Sequence, residues 1–174
     1  MSPVRAEPVA RNHRNARLFL FYSFGLGVFW AMANLAINLL LDAQGVDNAS
    51  IGYYNALIIA GTITIALPLG FLSGRLGRRR VLIAATTTMP VALLIVIAAP
   101  PGAYQMLGAF ILGASQSTYF TTGYPHMAEN SPEQNRLWLY SRSAFLHYAG
   151  MFVGYLLCTP SQASWASSYR TPRL

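Results

Sequence analysis

Long apolar stretches alternate with short polar breaks along this chain. Residues 18–41, 51–72, 81–99, 104–123 and 137–158 each come close to the roughly 20 apolar residues that cross a bilayer as a helix. The stretches are apolar nearly all round rather than along one stripe, the pattern of helices facing lipid. Membrane barrels need segments of about ten residues with alternating polarity, and none is present. The pattern therefore predicts an all-α fold, a polytopic transmembrane helical bundle of five spans.

The breaks are short and carry turn chemistry. "DAQGVDNAS" follows the first span, and "PPGAY" joins the third to the fourth. Pro100-Pro101 ends a helix because the second proline removes a donor and both rings block continuation. "SPEQ" reads as a capped start for the fifth helix near Pro132, with Ser131 as N-cap and Gln134 closing a capping box. The arginines then assign sides. Arg5, Arg11, Arg14 and Arg17 precede the first span; Arg75, Arg78, Arg79 and Arg80 lie in the second connection; Arg136 and Arg142 flank the fourth. The first and third connections hold no basic residue. The positive-inside rule places the N-terminus and the even-numbered connections in the cytoplasm. Only Arg170 and Arg173, after the last span, depart from this alternation.

Composition strengthens this picture. Of 174 residues, 54% are hydrophobic and 10% charged, against roughly 25% charged in an average soluble domain. The net charge of +7 raises nucleic acid as a partner. Arginines gathered between long uncharged stretches are not the basic face that such binding uses, so no nucleic-acid partner is expected. The lipid bilayer is the expected surrounding. A single cysteine, Cys158, cannot close an intramolecular disulfide. A basic head, an apolar run and "AMA" at residues 31–33 outline a signal peptide, but the run continues to Leu41 and four more spans follow. Asn48-Ala49-Ser50 is a glycosylation sequon, relevant only in a eukaryotic host. Metal-ligand spacing, a phosphate-binding loop and a nucleophile elbow are all absent from the sequence. No enzymatic activity, metal or cofactor is expected.

"GFLSGRLGRRR", residues 70–80, runs from an apolar helix straight into fixed positive charge. Orientation alone explains the arginines. Gly70, Gly74 and Gly77 go further, marking a tight turn between helices or a close approach of their backbones. The stretch resembles the signature loop of the major facilitator superfamily, written G-x-L-a-D-r-x-G-r-r/k-x-x-l. It aligns through Gly70, Leu72, Ser73, Arg75, Gly77, Arg78, Arg79 and Leu82. A second segment, "MAENSPEQNRLWLYS" at residues 127–141, is similar to the link between helices four and five of many bacterial members. Together the similarities cover about residues 17–157.

The resemblance implies a carrier whose two six-helix halves rock about a midplane site, with residues 70–79 as its cytoplasmic hinge. It also implies an integral protein of a bacterial inner membrane. Some features depart from the family pattern. Gly74 stands where the family has an Asp that latches the halves together, leaving Arg75 and Arg78 to pair with acids elsewhere. The fourth helix has Ala109 and Phe110 where drug/proton antiporters carry an Arg. The fifth has Gly150 and Gly154 without the following Pro. Both absences disfavour drug efflux by the antiporter mechanism.

Polar groups inside spans are functional candidates by default. Asn34 and Asn38 lie one turn apart on the first helix, with Trp30 a turn earlier. They either line a solute cavity or bridge helices through their amides. Gln116, Ser117 and Tyr119 form a similar cluster on the fourth helix, the partner of the first in three-helix repeats. A faint echo accompanies them: Gly27, Phe29 and Ala33 recur in the spacing of Gly108, Phe110 and Ala114. His147 in the fifth span is a proton carrier, a solute contact or a neutral helix contact. No Asp or Glu lies in any span.

The expected organisation is a cytoplasmic tail at 1–17, five transmembrane helices at 18–158 and an atypical tail at 159–174. After "GMFVGYLLC" the composition turns rich in Ser, Pro and Arg. The reading is an incomplete, N-terminal portion of a major-facilitator-type carrier for a small solute, lacking its C-terminal half. Two alternatives stay open. One is a membrane interaction protein that does not transport; the other is a five-helix carrier that self-associates through Gly150 and Gly154.

Overall fold

The computed structural model describes the backbone of residues 6–129 and 135–169, and side chains at 15–129 and 135–158. The proposed cap at Ser131, Pro132 and Gln134, and the side chains of Arg5, Arg11, Arg14, Arg170 and Arg173, lie outside the described residues.

The described chain is helical throughout its ordered elements: α1 (Ala6–Ala43), α2 (Asn48–Leu76), α3 (Arg78–Ala98), α4 (Ala103–Thr118), a π-helical segment (Tyr119–Gly123), α5 (Tyr124–Glu129) and α6 (Arg136–Tyr169). No strand occurs among the described residues. Asn15–Ala43, Asn48–Leu76 and Arg78–Ala98 are long and apolar enough to cross a membrane. The fourth predicted span is carried by α4, which at 16 residues passes directly into the π segment and α5. The fifth lies in α6. That helix runs on through Tyr169, so the compositional change after Cys158 does not mark the end of a helix.

The turns follow from local chemistry. α1 closes with a Schellman arrangement: Val46 N–H donates to Leu41 O and Gly45 N–H to Asp42 O, with Gly45 at φ +73°. Asp47 caps α2, its Oδ2 accepting from Ser50 N–H at 3.2 Å. Hydrogen bonding from the Ser50 side chain, and then from its backbone N–H, outside the membrane, holds the Asp47 carboxyl below its ordinary range. α3 stops where Ala99, preceding a proline, takes an extended conformation.

The chain forms two compact units: residues 1–36 with 131–174, and residues 37–130. In the second unit α4 packs on both α2 and α3. Glycines permit the closest approaches. A Cβ on Gly113 would overlap the carbonyl of Ile58, and one on Gly61 would overlap the carbonyl of Phe110. Beside them Thr62 Oγ1 donates to Gly113 O at 3.0 Å. Against α3, a Cβ on Gly108 would lie 2.9 Å from Val96 Cγ2. Bare backbone at a crossing lets two helices gain dispersion contacts that lipid cannot supply.

The first unit contains the same construction in α1 and α6. A Cβ on Gly27 would overlap the His147 carbonyl, and one on Gly150 would overlap that of Phe24. A Cβ on Gly154 would lie 2.7 Å from Val28 O and 2.8 Å from Ala31 Cβ. Gly150 and Gly154 are therefore filled by α1 of the same chain, which corrects their assignment to a self-association face. The two crossings match residue for residue: Phe24 and Gly27 against His147 and Gly150, Phe110 and Gly113 against Ile58 and Gly61. The internal echo is thus Phe-x-Leu-Gly, at residues 24–27 and 110–113. The register that aligned Gly27 with Gly108 is corrected by five residues.

Candidate functional site

Two groups of candidate residues follow from the sequence, one at the α2–α3 connection and one along the spans. At the connection, Gly77 takes φ +88°, a conformation that side chains rarely adopt, and ends α2 while opening α3. Gly70 and Gly74 behave otherwise. Both lie inside α2 with open space where a Cβ would stand, so they do not turn the chain, and among the described residues no helix approaches them. Ser73 is buried and donates from Oγ to Gly70 O at 3.0 Å. Leu72 is exposed.

Arg78, Arg79 and Arg80 form the first turn of α3. A helix N-terminus carries partial positive charge, so three arginines there destabilise the helix locally and call for an anion. Glu129, at the end of α5, supplies one: Arg78 Nη1 lies 2.7 Å from Glu129 Oε1. Arg75, Arg79 and Arg80 are exposed. His126 stands one turn before Glu129. Partial burial pushes its pKa below the ordinary histidine value; Glu129 opposes that shift, and Arg78 and Arg79 reinforce it. His126 was not singled out from the sequence, and Glu129 entered only as part of the 127–141 segment, with no partner assigned to it.

Along the spans the candidates divide. Asn38 accepts at Oδ1 from Asn55 Nδ2 of α2 at 3.1 Å, and Asn55 also donates to Ile51 O. Asn38 is a bridge between α1 and α2. Asn34 Nδ2 donates to Trp30 O one turn back, at 3.0 Å, and both residues are half-buried. His147 is buried, with Nδ1 3.3 Å from Ser23 O. A carbonyl only accepts, so Nδ1 carries the proton in this contact. Trp30, Asn34 and His147 belong to the first unit, while Asn38, Gln116, Ser117 and Tyr119 belong to the second.

Gln116, Ser117 and Tyr119 are brought together in a buried run on α4 and the π segment. Tyr119 packs edge-on against Phe120, with centroids 5.0 Å apart, and at a tilt against Tyr124 at 5.5 Å. The sequence reading missed Gln105. It is fully buried, its Nε2 donating to Val96 O at 2.9 Å and Gln44 Oε1 at 3.3 Å. A lone amide early in the fourth span was its only mark. Among the described residues no group of His, Cys, Asp and Glu could hold a metal.

Apolar spans and glycine-mediated crossings repeated in two units define a helical membrane protein. The family profile of the Major Facilitator Superfamily matches residues 19–169. The chain belongs to that family and is an integral membrane protein of transporter type. The match extends past Leu157, where the resemblance read from the sequence stopped. No curated protein and no solved structure matches this chain.

Proposed function

We propose that this chain carries the first part of an alternating-access transporter for a small polar solute. The observation that supports it most is the repeated crossing: α1 with α6 and α4 with α2 meet through equivalent Phe-x-x-Gly positions. Equivalent helix pairs of this kind belong to transporters that move one repeat about a central site. Trp30, Asn34 and His147 on one repeat, and Gln116, Ser117 and Tyr119 on the other, are the solute-contact candidates. Asn38 is assigned to helix bridging instead. Neutral amides, hydroxyls and an imidazole, with no intramembrane carboxylate, suit a solute recognised by hydrogen bonds rather than by charge.

The α2–α3 connection and the N-terminus face the cytoplasm in this reading, and a bacterial inner membrane is the site. The opposite wall of the solute pathway comes from a further helical half, on the same polypeptide or another. Reconstitution into proteoliposomes with a panel of labelled polyols, sugars and amino acids tests transport. Uptake of one solute, reduced at least about tenfold by Asn34→Ala or Gln116→Ala, is expected, since a site built to hydrogen-bond discriminates strongly. Uptake indifferent to both substitutions would remove the assignment of these residues.

A second reading, a membrane subunit that binds other helices without transporting, is favoured by the exposure of Ile59, Ile63, Leu67 and Phe71 on α2. Co-purification of a helical partner together with absent transport would select it.

A further inference from the structure

The fourth helix is interrupted between α4 and α5 by the π-helical turn Tyr119–Gly123, and a π turn holds one residue more than the α-helical turn it replaces. Residues 33–37, equivalent to the π segment, are ordinary α-helix within α1. The extra residue is accommodated in Tyr119–Gly123, which packs on α2 and α3. The wider turn has local consequences. It brings Tyr119 and Tyr124 into ring contact at 5.5 Å, although an α-helix places residues five apart about 140° from one another. It also leaves Thr122 fully buried with its hydroxyl unpartnered among the described residues, a desolvation cost that a relaxed helix avoids. Thr121 Oγ1 donates to Ser117 O at 2.9 Å across the start of the turn. Immediately beyond, Glu129 holds Arg78.

We propose that the π turn is a one-residue register switch that decides whether Glu129 meets Arg78. Converting the turn to α-helix without removing a residue rotates Tyr124–Glu129 by about 100° and advances it about 1.5 Å. For a side chain roughly 5–6 Å from the helix axis, that rotation is a displacement of about 8–9 Å. Glu129 then leaves Arg78, and α5 is released from the start of α3. π turns are costly insertions that recur at functional positions. Here the turn begins at Tyr119, directly after Gln116 and Ser117, so a solute contacting those residues acts on the turn itself. That last link rests on the transport reading, while the register switch does not.

The test uses the whole chain with Cys158→Ser, in nanodiscs. Hydrogen exchange is measured first. Amides of 119–124 are expected to exchange at least about tenfold faster than those of 108–116 in the same helix, because the turn opens locally. Equal protection of the two segments overturns the switch, whatever the variants do. Arg78→Cys with Glu129→Cys is then joined by a short bifunctional thiol reagent, with and without deletion of Thr121. Removing the surplus residue leaves both flanks facing as they do now, so cross-linking persists and the excess exchange disappears. In an uninterrupted α-helix the same deletion turns residue 129 away. A fall in cross-linking of about fivefold or more on deletion, in protein that retains its helical circular dichroism, overturns the register argument. Failure of solute uptake with both results intact removes the transport reading alone.

Discussion

Gly113→Ala tests the helix crossing that organises the second unit. The new Cβ would overlap the Ile58 carbonyl oxygen and lie 2.7 Å from its carbon and 2.9 Å from Ile58 Cα. Carbon atoms prefer roughly 3.5–4.0 Å, so α2 and α4 must part by about 1 Å. None of the overlapped atoms belongs to a side chain that can swing aside. Overpacking of this kind costs about 1–3 kcal/mol. The separation also stretches the 3.0 Å bond from Thr62 Oγ1 to Gly113 O, worth about 0.6–1.7 kcal/mol in a membrane bundle. Alanine gains some helix propensity over glycine, so the right reference is Gly74→Ala. That residue lies in α2 with nothing within 4 Å of a Cβ, and the propensity gain largely cancels between the two variants. The expected difference in stability is about 2–4 kcal/mol.

Reversible unfolding in mixed detergent–SDS micelles, followed by far-UV circular dichroism, measures that difference. Gly27→Ala places the same clash on the His147 carbonyl in the first unit, and its loss should fall within about 1 kcal/mol of the Gly113 value. Gly113→Ala unfolding at the same SDS fraction as Gly74→Ala would refute the packing argument. A large loss at Gly113 with none at Gly27 would refute the equivalence of the two crossings.

Three further outcomes are expected. Arg78→Glu or Glu129→Arg alone should each cost about 0.2–1 kcal/mol, as for a largely exposed pair, and the double reversal should restore most of it in the same unfolding assay. Asn38→Ala and Asn55→Ala should show a coupling near 0.6 kcal/mol in a double-mutant cycle; zero coupling would mean that the 3.1 Å amide contact contributes nothing. His126, whose folded-state pKa lies below its unfolded value of 6.5, binds fewer protons folded than unfolded. Its contribution is fully present above pH 6.5 and is lost as pH falls through that value towards the folded pKa. Thermal midpoints measured from pH 8 to pH 5 should fall less in His126→Asn than in the parent, and identical profiles would exclude this residue as a source of the slope.

The first three spans were legible because lipid demands an unbroken apolar run and loops outside it do not. The proline stop after Ala99 was legible for a similar reason, since proline has few other uses there, whereas Gly77 was indistinguishable in sequence from Gly70 and Gly74 and only its φ of +88° sets it apart. The Asn38–Asn55 bridge was open in part. Asn38 lies five residues before the end of α1 and Asn55 seven after the start of α2, so antiparallel helices bring them to similar depths. The glycine crossings were not legible. A small residue permits a close approach without naming the helix that makes it, and Gly70 and Gly74 look no different in sequence from Gly61 and Gly113. The repeat was misregistered for the same reason: three matches on one helix had no check. The partner pairs Ala60-Gly61 and Ala149-Gly150, on the helices that cross it, supply that check only once the crossings are known. The π turn left no trace, because "YFTTG" reads as unremarkable apolar helix.

The departure at Gly74 also changes meaning once the geometry is known. An Asp there would sit in the last turn of α2, where the helix dipole disfavours an anion by about 0.3–1 kcal/mol. Its attraction would be to the arginine-rich start of α3, which is short of negative charge. In this chain that need is met from the other side, by Glu129 at the end of the fourth helix. The consequence is a shift in what the arginines hold. A carboxylate at 74 would tie α3 to the helix just before it, a connection that the short Gly77 turn already enforces. Glu129 instead ties α3 to a helix end just over fifty residues beyond Arg78 in the chain. It does so through a segment whose register, in the switch proposed above, depends on the π turn, so Arg78 reports the state of the fourth helix.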